Sequence, residues 1–241
     1  MADAIFDDRR LAQVYDPLDP DRSDLEVYAA LVEEVGARTV LDVGCGTGTL
    51  ACLLAASGLD VTGVDPAGAS LEVARAKPFA DRVRWVHGDV TTLPSLQADV
   101  ASMTANVAQV FLTDDDWLAT VRAVHGRLRP GGHLVFETRV PEQRAWKRWD
   151  RAHTHTRTEV PGVGGVETWC DLLGVDGDLV SFRWSFAFDA DGAVLTSDST
   201  LRFRHRAELD ASLAETGFVV EEVRDAPDRP GLEWVYVARR P

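Results

Sequence analysis

Short apolar runs alternate with amphipathic stretches through the first 139 residues of the chain. Residues 24–35 carry apolar side chains at helical spacing, and Gly36 is a typical helix stop. The apolar run 39–43 then predicts a buried strand. A helix over residues 49–57 and a second strand over residues 61–64 follow it. This order predicts a βαβ unit.

The same alternation continues beyond the unit. The pattern predicts a helix over residues 70–76 and strands over residues 83–86 and 99–103. Thr113 is a typical N-cap for the next helix, which Pro130-Gly131-Gly132 would end before a strand at residues 133–137. Strands that alternate with helices indicate an α/β fold with a mostly parallel sheet.

The sequence pattern changes over residues 140–206, where β-branched and aromatic residues are separated by glycine and aspartate turns. This pattern predicts an antiparallel β insertion. Its expected strands are residues 166–173, 179–188 and 194–203. A helix over residues 208–215 and strands over residues 218–223 and 234–238 would return the chain to the main sheet.

Composition narrows the class of protein. With 241 residues and 45% hydrophobic side chains, the chain can bury one full core. The start of the chain lacks the pattern of a signal peptide and no apolar run has membrane-spanning length, so we expect a cytoplasmic protein. A net charge of −14 disfavours a nucleic-acid partner. Three cysteines without a CxxC pair indicate neither a disulfide framework nor a zinc site, and no metal is expected.

The glycine-rich turn after the first strand is the strongest chemical signal. Glycines in a strand-to-helix turn let the backbone approach a nucleotide closely. The spacing of Gly44, Gly46 and Gly48 differs from the dinucleotide fingerprint, which disfavours NAD. Asp65 ends the second strand, where its carboxylate can accept hydrogen bonds from both hydroxyls of a ribose.

Four motifs in order resemble the class I S-adenosylmethionine-dependent methyltransferase family of small-molecule type. They are Val40-Leu41-Asp42-Val43-Gly44-Cys45-Gly46-Thr47-Gly48, Gly63-Val64-Asp65, His87-Gly88-Asp89-Val90 and Leu128-Arg129-Pro130-Gly131-Gly132-His133-Leu134. The resemblance implies a Rossmann-like, seven-stranded, mostly parallel sheet between helices. It implies a core of residues 1–139 and 207–241, with 1–23 as an N-terminal lid segment and 140–206 as an antiparallel cap over the acceptor.

The resemblance also implies contacts to S-adenosylmethionine. Gly44, Gly46 and Gly48 would lie against its methionine and ribose parts, with Cys45 inside the same turn. The remaining implied contacts are Asp42 to the ammonium group, Asp65 to the ribose, Asp89, Val90 and Pro66 to the adenine, Asn106 near the amino-acid end, and Tyr15 as an aromatic lid residue.

No catalytic group is assigned from the sequence. Methyl transfer is an in-line displacement at a carbon already activated by the sulfonium, so positioning and exclusion of water can suffice. His87, Glu137, His153 and His155 are candidate general bases by residue type only. His153 and His155 could share one strand face and hold a metal, although solvated edge histidines are the commoner arrangement.

Three functions stay open at this point. The first is methyl transfer to oxygen, nitrogen or carbon of a small molecule. The second is a non-catalytic protein that binds S-adenosylmethionine for regulation, and the third is methylation of a macromolecule. Thr104-Ala105-Asn106-Val107-Ala108-Gln109 replaces the Asn-Pro-Pro-Tyr type of motif typical of DNA amino-group methylation, and this disfavours the third.

Overall fold

The computed structural model describes residues 2–241. The N-terminal helices are α1 (Ala4–Asp7), α2 (Arg9–Leu18) and α3 (Asp24–Glu34). The alternating region that follows consists of β1 (Thr39–Val43), α4 (Thr49–Ala56), β2 (Asp60–Asp65), α5 (Gly68–Arg75), β3 (Val83–His87), β4 (Ala98–Met103), α6 (Asp114–Arg127) and β5 (Leu128–Arg139).

The rest of the chain forms a second group of strands and then returns to the first. Its elements are α7 (Arg151–Thr154), β6 (Thr156–Val160), β7 (Gly164–Asp176), β8 (Leu179–Phe188), β9 (Val194–Arg202), α8 (Arg206–Glu215), β10 (Val219–Asp225) and β11 (Glu233–Arg239). Short 3-10 turns fill several of the connections. No helix of residues 2–241 is long and apolar enough to cross a membrane.

Seven strands form the central sheet in the order β10-β11-β5-β4-β1-β2-β3. β1 pairs in parallel with both β2 and β4, and β11 runs antiparallel to β5 and β10. The predicted mostly parallel, seven-stranded Rossmann-like sheet is confirmed. The strand order reverses at β1 and β4, so the chain connections diverge there and leave a crevice at the carboxyl ends of these strands.

Apolar side chains cover both faces of the sheet. On one face the fully buried Trp117 of α6 meets the ring of Phe136 at 5.6 Å between centroids, and Phe136 stacks on Tyr236 at 4.8 Å. On the other face, Leu31 of α3 and Leu54 of α4 pack in a second cluster. Each fully buried side chain of this size contributes about 1.5–3 kcal/mol, which makes the strand ends a firm support for a site.

The four-stranded sheet has the order β6-β7-β8-β9 and is antiparallel throughout. The predicted antiparallel β structure is confirmed, with β6 as an additional strand. Phe186 and Phe188 of β8 pack with Leu11 and Val14 of α2. The helix α2 therefore packs against the second sheet.

The start of β5 differs from the sequence prediction. Pro130-Gly131-Gly132 does not separate helix from strand, because β5 already begins at Leu128, opposite Ala98. The register then shifts, and His133 pairs with Val100. The Gly131 N–H donates to the Arg240 carbonyl at 2.7 Å, so the end of the chain supplies the hydrogen bonds that hold this bulge in the sheet.

His153 and His155 are exposed and do not share a strand face, which was the less favoured arrangement considered for them. His153 lies in α7, where the Asp150 side chain accepts its backbone N–H at 3.0 Å and contacts its Nδ1 at 2.8 Å. His155 follows the helix and its Nε2 contacts Glu167 at 3.1 Å. A local helix cap has replaced the strand geometry that would place both rings on one face. Within residues 2–241, no group of three or more His, Cys, Asp or Glu side chains is arranged to hold a metal.

Candidate functional site

A cavity of about 720 Å³ lies at the carboxyl ends of β1, β2 and β4. Residues directly after these strands, including Gly44, Pro66 and Thr104, form its floor. Phe6 and Tyr15 from the N-terminal helices and Thr200 from β9 line other parts of it. The crevice at the reversal of strand order is therefore covered by the N-terminal segment and by the second sheet.

The glycine turn requires glycine at the positions nearest the cavity. Gly44 has φ +70°, and a Cβ at this position would lie 2.6 Å from Cγ2 of Val107. Gly46 has φ +53° and faces open space, since a Cβ at this position would have no neighbour within 4 Å. Positive φ and this open space leave the backbone of the turn accessible to a ligand.

Gly48 and Cys45 have different positions in this turn. Gly48 is the N-cap of α4, packs close to Trp85 and is absent from the lining of the cavity. Cys45 lines the cavity, and burial raises the pKa of its thiol well above the usual range. Cys45 is therefore a neutral thiol in the cavity wall. Gly48 does not reach the cavity and instead packs against Trp85 where the turn enters α4.

Asp65 is fixed by backbone donors on both sides. One carboxylate oxygen accepts the Gly46 N–H at 2.8 Å, and the other accepts the Ala67 N–H at 2.7 Å. The residue is 7% exposed and burial raises its pKa. Because an ionised carboxylate offers about four acceptor positions, this arrangement leaves room for two further hydroxyl donors from the cavity.

Asp42 lies in β1 and lines the cavity, and the resemblance implies that it contacts the ammonium group of the donor. Its Oδ1 accepts the Ser102 hydroxyl at 2.8 Å, and the residue is 1% exposed. Burial raises the pKa of Asp42 to about 7, with a smaller contribution from the negative charge of Asp65. A positive group placed beside Asp42 would stabilise its ionised form, as expected for an ammonium ligand.

Asp89, Val90 and Pro66 also line the cavity. Oδ1 of Asp89 accepts the backbone N–H of Thr91 at 2.8 Å, which fixes the loop after β3. The carbonyl of Pro66 contacts Nε2 of His87 at 3.0 Å. This contact occupies a ring nitrogen of His87, which does not line the cavity. Asp89 and Val90 do line it.

Tyr15 belongs to a cover that is attached to the glycine turn. Its ring lies 5.6 Å from that of Phe6, and burial raises its pKa. The neighbouring Asp16 accepts the Thr47 hydroxyl at 2.7 Å and forms an ion pair with Lys77 at 2.6 Å. The N-terminal helix therefore holds Tyr15 over the cavity through contacts with the turn itself.

Asn106 lies behind the cavity wall. It adopts a left-handed conformation (φ +62°), and its Nδ2 donates to Glu233 at 3.2 Å. Its N–H donates to Glu137 at 3.0 Å, and burial together with the charge of Glu233 raises the pKa of Glu137 to about 7. Ala105 and Val107 line the cavity on either side, so Asn106 positions this loop.

Three charged residues that line the cavity were not predicted from the sequence. Arg22 is the cavity's one basic lining residue within the described part of the chain, and its guanidinium contacts Asp24 at 3.2 and 3.4 Å. It is the one basic residue in the acidic stretch 16–34, which was the signal available in the sequence. Asp3 and Asp198 also line the cavity, and nothing in their local sequence indicated it.

Part of the chain matches a known protein family. Residues 40–132 match the family described as "Methyltransferase domain". A ubiquinone biosynthesis O-methyltransferase from Alkalilimnicola ehrlichii is 32% identical over 115 residues, which are 47% of this chain and 47% of that protein. The chain spans about half the length of the curated relatives it matches.

Solved structures match over almost the whole chain. An S-adenosylmethionine-dependent methyltransferase from Clostridium acetobutylicum has a TM-score of 0.75 at 18% identity, covering 95% of this chain and 97% of that one. The S-adenosylmethionine-bound amino pentose methyltransferase CalS10 from Micromonospora echinaspora has a TM-score of 0.75 at 23% identity, covering 95% of each chain. The predicted resemblance to class I methyltransferases is confirmed at the level of the fold, and residues 40–132 match a methyltransferase-domain family.

Proposed function

We propose that the protein is an S-adenosylmethionine-dependent methyltransferase that transfers a methyl group to oxygen, nitrogen or carbon of a small molecule. The observation that carries the proposal is the position of Asp65, held by the glycine turn at the edge of a covered cavity. The match of residues 40–132 to a methyltransferase domain supports it. The structural relatives named for S-adenosylmethionine-dependent transfer support it as well.

The chemistry of the lining residues fits this donor. Asp65 would accept the ribose hydroxyls, and Asp89, Val90 and Pro66 would contact the adenine. Asp42 would face the ammonium group, and Arg22 would pair with the carboxylate of the methionine part, since guanidinium groups bind carboxylates well. Gly44, Cys45 and Gly46 would lie along the donor, with Gly48 and Asn106 holding the loops on either side and Tyr15 covering it.

The protein's own part in the reaction is to bind, orient and exclude water. When bound, the donor would supply a methyl group on a sulfonium: the acceptor atom would bond to the methyl carbon as the carbon–sulfur bond breaks, and the sulfur would leave with the electron pair as a neutral thioether. The Asp16–Lys77 pair and the ring of Tyr15 would close the N-terminal segment, residues 1–23, over the reacting atoms. Residues 140–206 would hold the acceptor through the second sheet, on the core formed by residues 1–139 and 207–241.

None of the four candidate bases belongs to the lining of the cavity within residues 2–241. His153 and His155 are engaged on the second sheet, His87 contacts a carbonyl, and Glu137 holds the Asn106 loop. We therefore propose that positioning of the acceptor, rather than a dedicated general base, accounts for the rate of methyl transfer.

A cytoplasmic location and the lack of a nucleic-acid partner stay predictions from the sequence.

Calorimetry with S-adenosylhomocysteine tests the proposal. We expect micromolar binding by the wild-type protein and no comparable heat with NAD. No binding of S-adenosylhomocysteine, or equal binding of NAD, would contradict it. Binding without any methyl transfer would instead favour the non-catalytic alternative.

A further inference from the structure

We infer that the acceptor is an amphipathic amine: Asp3 and Asp198 receive its basic nitrogen, and an apolar rim at the mouth of the cavity receives its hydrocarbon part. The inference rests on the proposed function, because it assigns the part of the cavity that the methyl donor leaves free. We define the apolar rim as Val110, Leu112 and Leu173.

The charges that line the cavity are strongly unequal. Five aspartates and one arginine line it within residues 2–241: Asp3, Asp42, Asp65, Asp89, Asp198 and Arg22. The proposed donor contacts use Arg22 and three of the aspartates. Asp3 and Asp198 remain; Asp198 is paired with Arg183, which does not line the cavity, and no basic lining residue is left to bind an anion. A net charge of −14 on the whole chain would attract a cation toward the same cavity.

Asp3 is placed to bind a ligand rather than to cap its helix. It is the N-cap residue of α1, but its side chain makes no capping hydrogen bond. Its backbone carbonyl instead accepts the N–H groups of Phe6 at 3.0 Å and Asp7 at 3.1 Å. The backbone of Asp3 is therefore fixed while its carboxylate is available to the cavity.

Asp198 approaches the cavity from the second sheet. It lies on β9 opposite Arg183 of β8, and the guanidinium contacts both carboxylate oxygens, at 2.5 and 2.7 Å. This pair lowers the pKa of Asp198, which keeps the carboxylate ionised. An ammonium group from the cavity side could share the carboxylate with Arg183, because each oxygen can accept more than one donor.

Hydroxyl groups surround this acidic end. Ser181 and Thr200 are cross-strand neighbours whose hydroxyl oxygens lie 2.7 Å apart, and Ser199 lies beside them in the cavity lining. Hydroxyls both donate and accept, so they suit the polar groups next to an amine, such as further hydroxyls.

The apolar rim supplies the second half of the recognition. Val110, Leu112 and Leu173 are 47%, 37% and 51% exposed, and all three line the same cavity. They come from the loop after β4 and from β7, so the core and the second sheet meet at this mouth. A set of exposed apolar side chains next to a polar pocket is typical of a binding surface. An acceptor with both a basic and an apolar part satisfies both regions at once.

Matched glycosides test the charge requirement. The probes are hexyl 2-amino-2-deoxyglucoside and hexyl glucoside, which differ by one amine in place of a hydroxyl. Each is titrated into the full chain in the presence of saturating S-adenosylhomocysteine, below the concentration at which the probe forms micelles. We expect the amine to bind at least ten-fold more tightly. The variants Asp3→Asn and Asp198→Asn should each reduce the preference to below about three-fold, since each removes one charge-assisted contact.

Asp171→Asn is the matched control for Asp198→Asn. Asp171 lies opposite Arg183 on the other side of β8, and it does not line the cavity. Its substitution changes the charge beside Arg183 equally and should keep the ten-fold preference. Thermal unfolding of each variant shows whether the sheet has remained folded.

A shorter probe tests the apolar rim. Methyl 2-amino-2-deoxyglucoside should bind at least ten-fold more weakly than its hexyl relative, and Leu173→Ser should remove most of this difference. Val194→Ser is the control, because Val194 is 56% exposed on β9 and does not line the cavity.

Two results overturn the inference: equal binding of the amine and hydroxyl probes, or binding of neither while S-adenosylhomocysteine still binds. A preference for the amine that survives both Asp3→Asn and Asp198→Asn overturns the assigned residues. Absence of S-adenosylhomocysteine binding marks a failure of the proposed function instead, so the two failures are distinguishable.

Discussion

The carboxylate of Asp65 accepts the backbone N–H of Gly46 at 2.8 Å, which ties the end of β2 to the glycine turn after β1. The turn and the carboxylate therefore form one unit rather than two separate contacts. A ligand that reaches Asp65 therefore passes close to the backbone of Gly46, where the space is open.

Replacement of Asp65 by Asn should weaken S-adenosylhomocysteine binding by about 100-fold, because the amide offers fewer acceptor positions and carries no charge. Calorimetric titration measures the change. Asp60→Asn, at the exposed opposite end of β2, is the control and should bind as the wild type does. Equal affinities for the two variants would remove Asp65 from the proposed ribose site.

Arg22 should discriminate between ligands with and without a carboxylate. Arg22→Met should weaken S-adenosylhomocysteine binding about 10- to 100-fold, since a charge-assisted pair within the cavity is lost. The affinity for methylthioadenosine, which lacks the amino-acid part, should not change. Arg38→Met on the exposed surface serves as the comparison. A similar loss for both ligands would mean that Arg22 acts through the fold and not through the carboxylate.

Two glycine substitutions separate backbone strain from steric collision. Gly36 and Gly44 have similar positive φ values, +66° and +70°, but only Gly44 has Val107 in the path of a Cβ. Gly36→Ala should cost about 1 kcal/mol of unfolding free energy from the left-handed conformation alone. Gly44→Ala should cost about 1–3 kcal/mol more, because Val107 must move.

Denaturant unfolding of both variants measures this difference. The displacement of Val107 in Gly44→Ala should also reduce ligand binding, whereas Gly36→Ala should bind normally. Equal destabilisation by the two substitutions would show that the Val107 side chain moves aside without a cost in unfolding free energy.

The buried Asp42 makes the stability of the ligand-free protein depend on pH. Its folded pKa of about 7 lies above the unfolded value of 3.8, so the folded state holds the proton more tightly. The resulting stabilisation is complete below pH 4 and is lost as the pH rises to about 7.

Unfolding of the wild type and of Asp42→Asn at pH 5 and pH 8 tests this sign. The stability of the wild type relative to the variant should fall by about 2–3 kcal/mol between these two pH values. The raised pKa of Glu137 affects both proteins and cancels in the comparison. A constant difference across this range would place the Asp42 carboxylate in a more polar environment than its burial indicates.

The sequence predicted the central sheet well because its strands are buried on both faces and appear as continuous apolar runs, as in Thr39–Val43. The position of Asp65 at the end of β2 was predicted for the same reason, since this residue directly follows such a run. The bulge at Pro130-Gly131-Gly132 was missed because its partner, Arg240, is remote in the chain.

The other charged residues that line the cavity could not be located in the same way. Arg22 lies in the link between α2 and α3, where no periodicity indicates the direction of a side chain. Asp198 reaches the cavity because of the strand register that pairs it with Arg183, and register depends on packing against the rest of the fold. Asp3 is placed by the way α1 packs beside β9, where the Ile5 N–H donates to the Ser197 hydroxyl at 2.9 Å.

The most direct test of methyl transfer is incubation of the purified protein with S-adenosylmethionine carrying a labelled methyl group and with an extract of small metabolites. The proposed function predicts label in a small-molecule product, formed in equal amount to S-adenosylhomocysteine, and loss of both in Asp65→Asn. If the protein binds S-adenosylhomocysteine but forms no labelled product with amine, hydroxyl or carbon acceptors, the proposed methyltransferase activity is contradicted. The protein would then be one that only binds this cofactor.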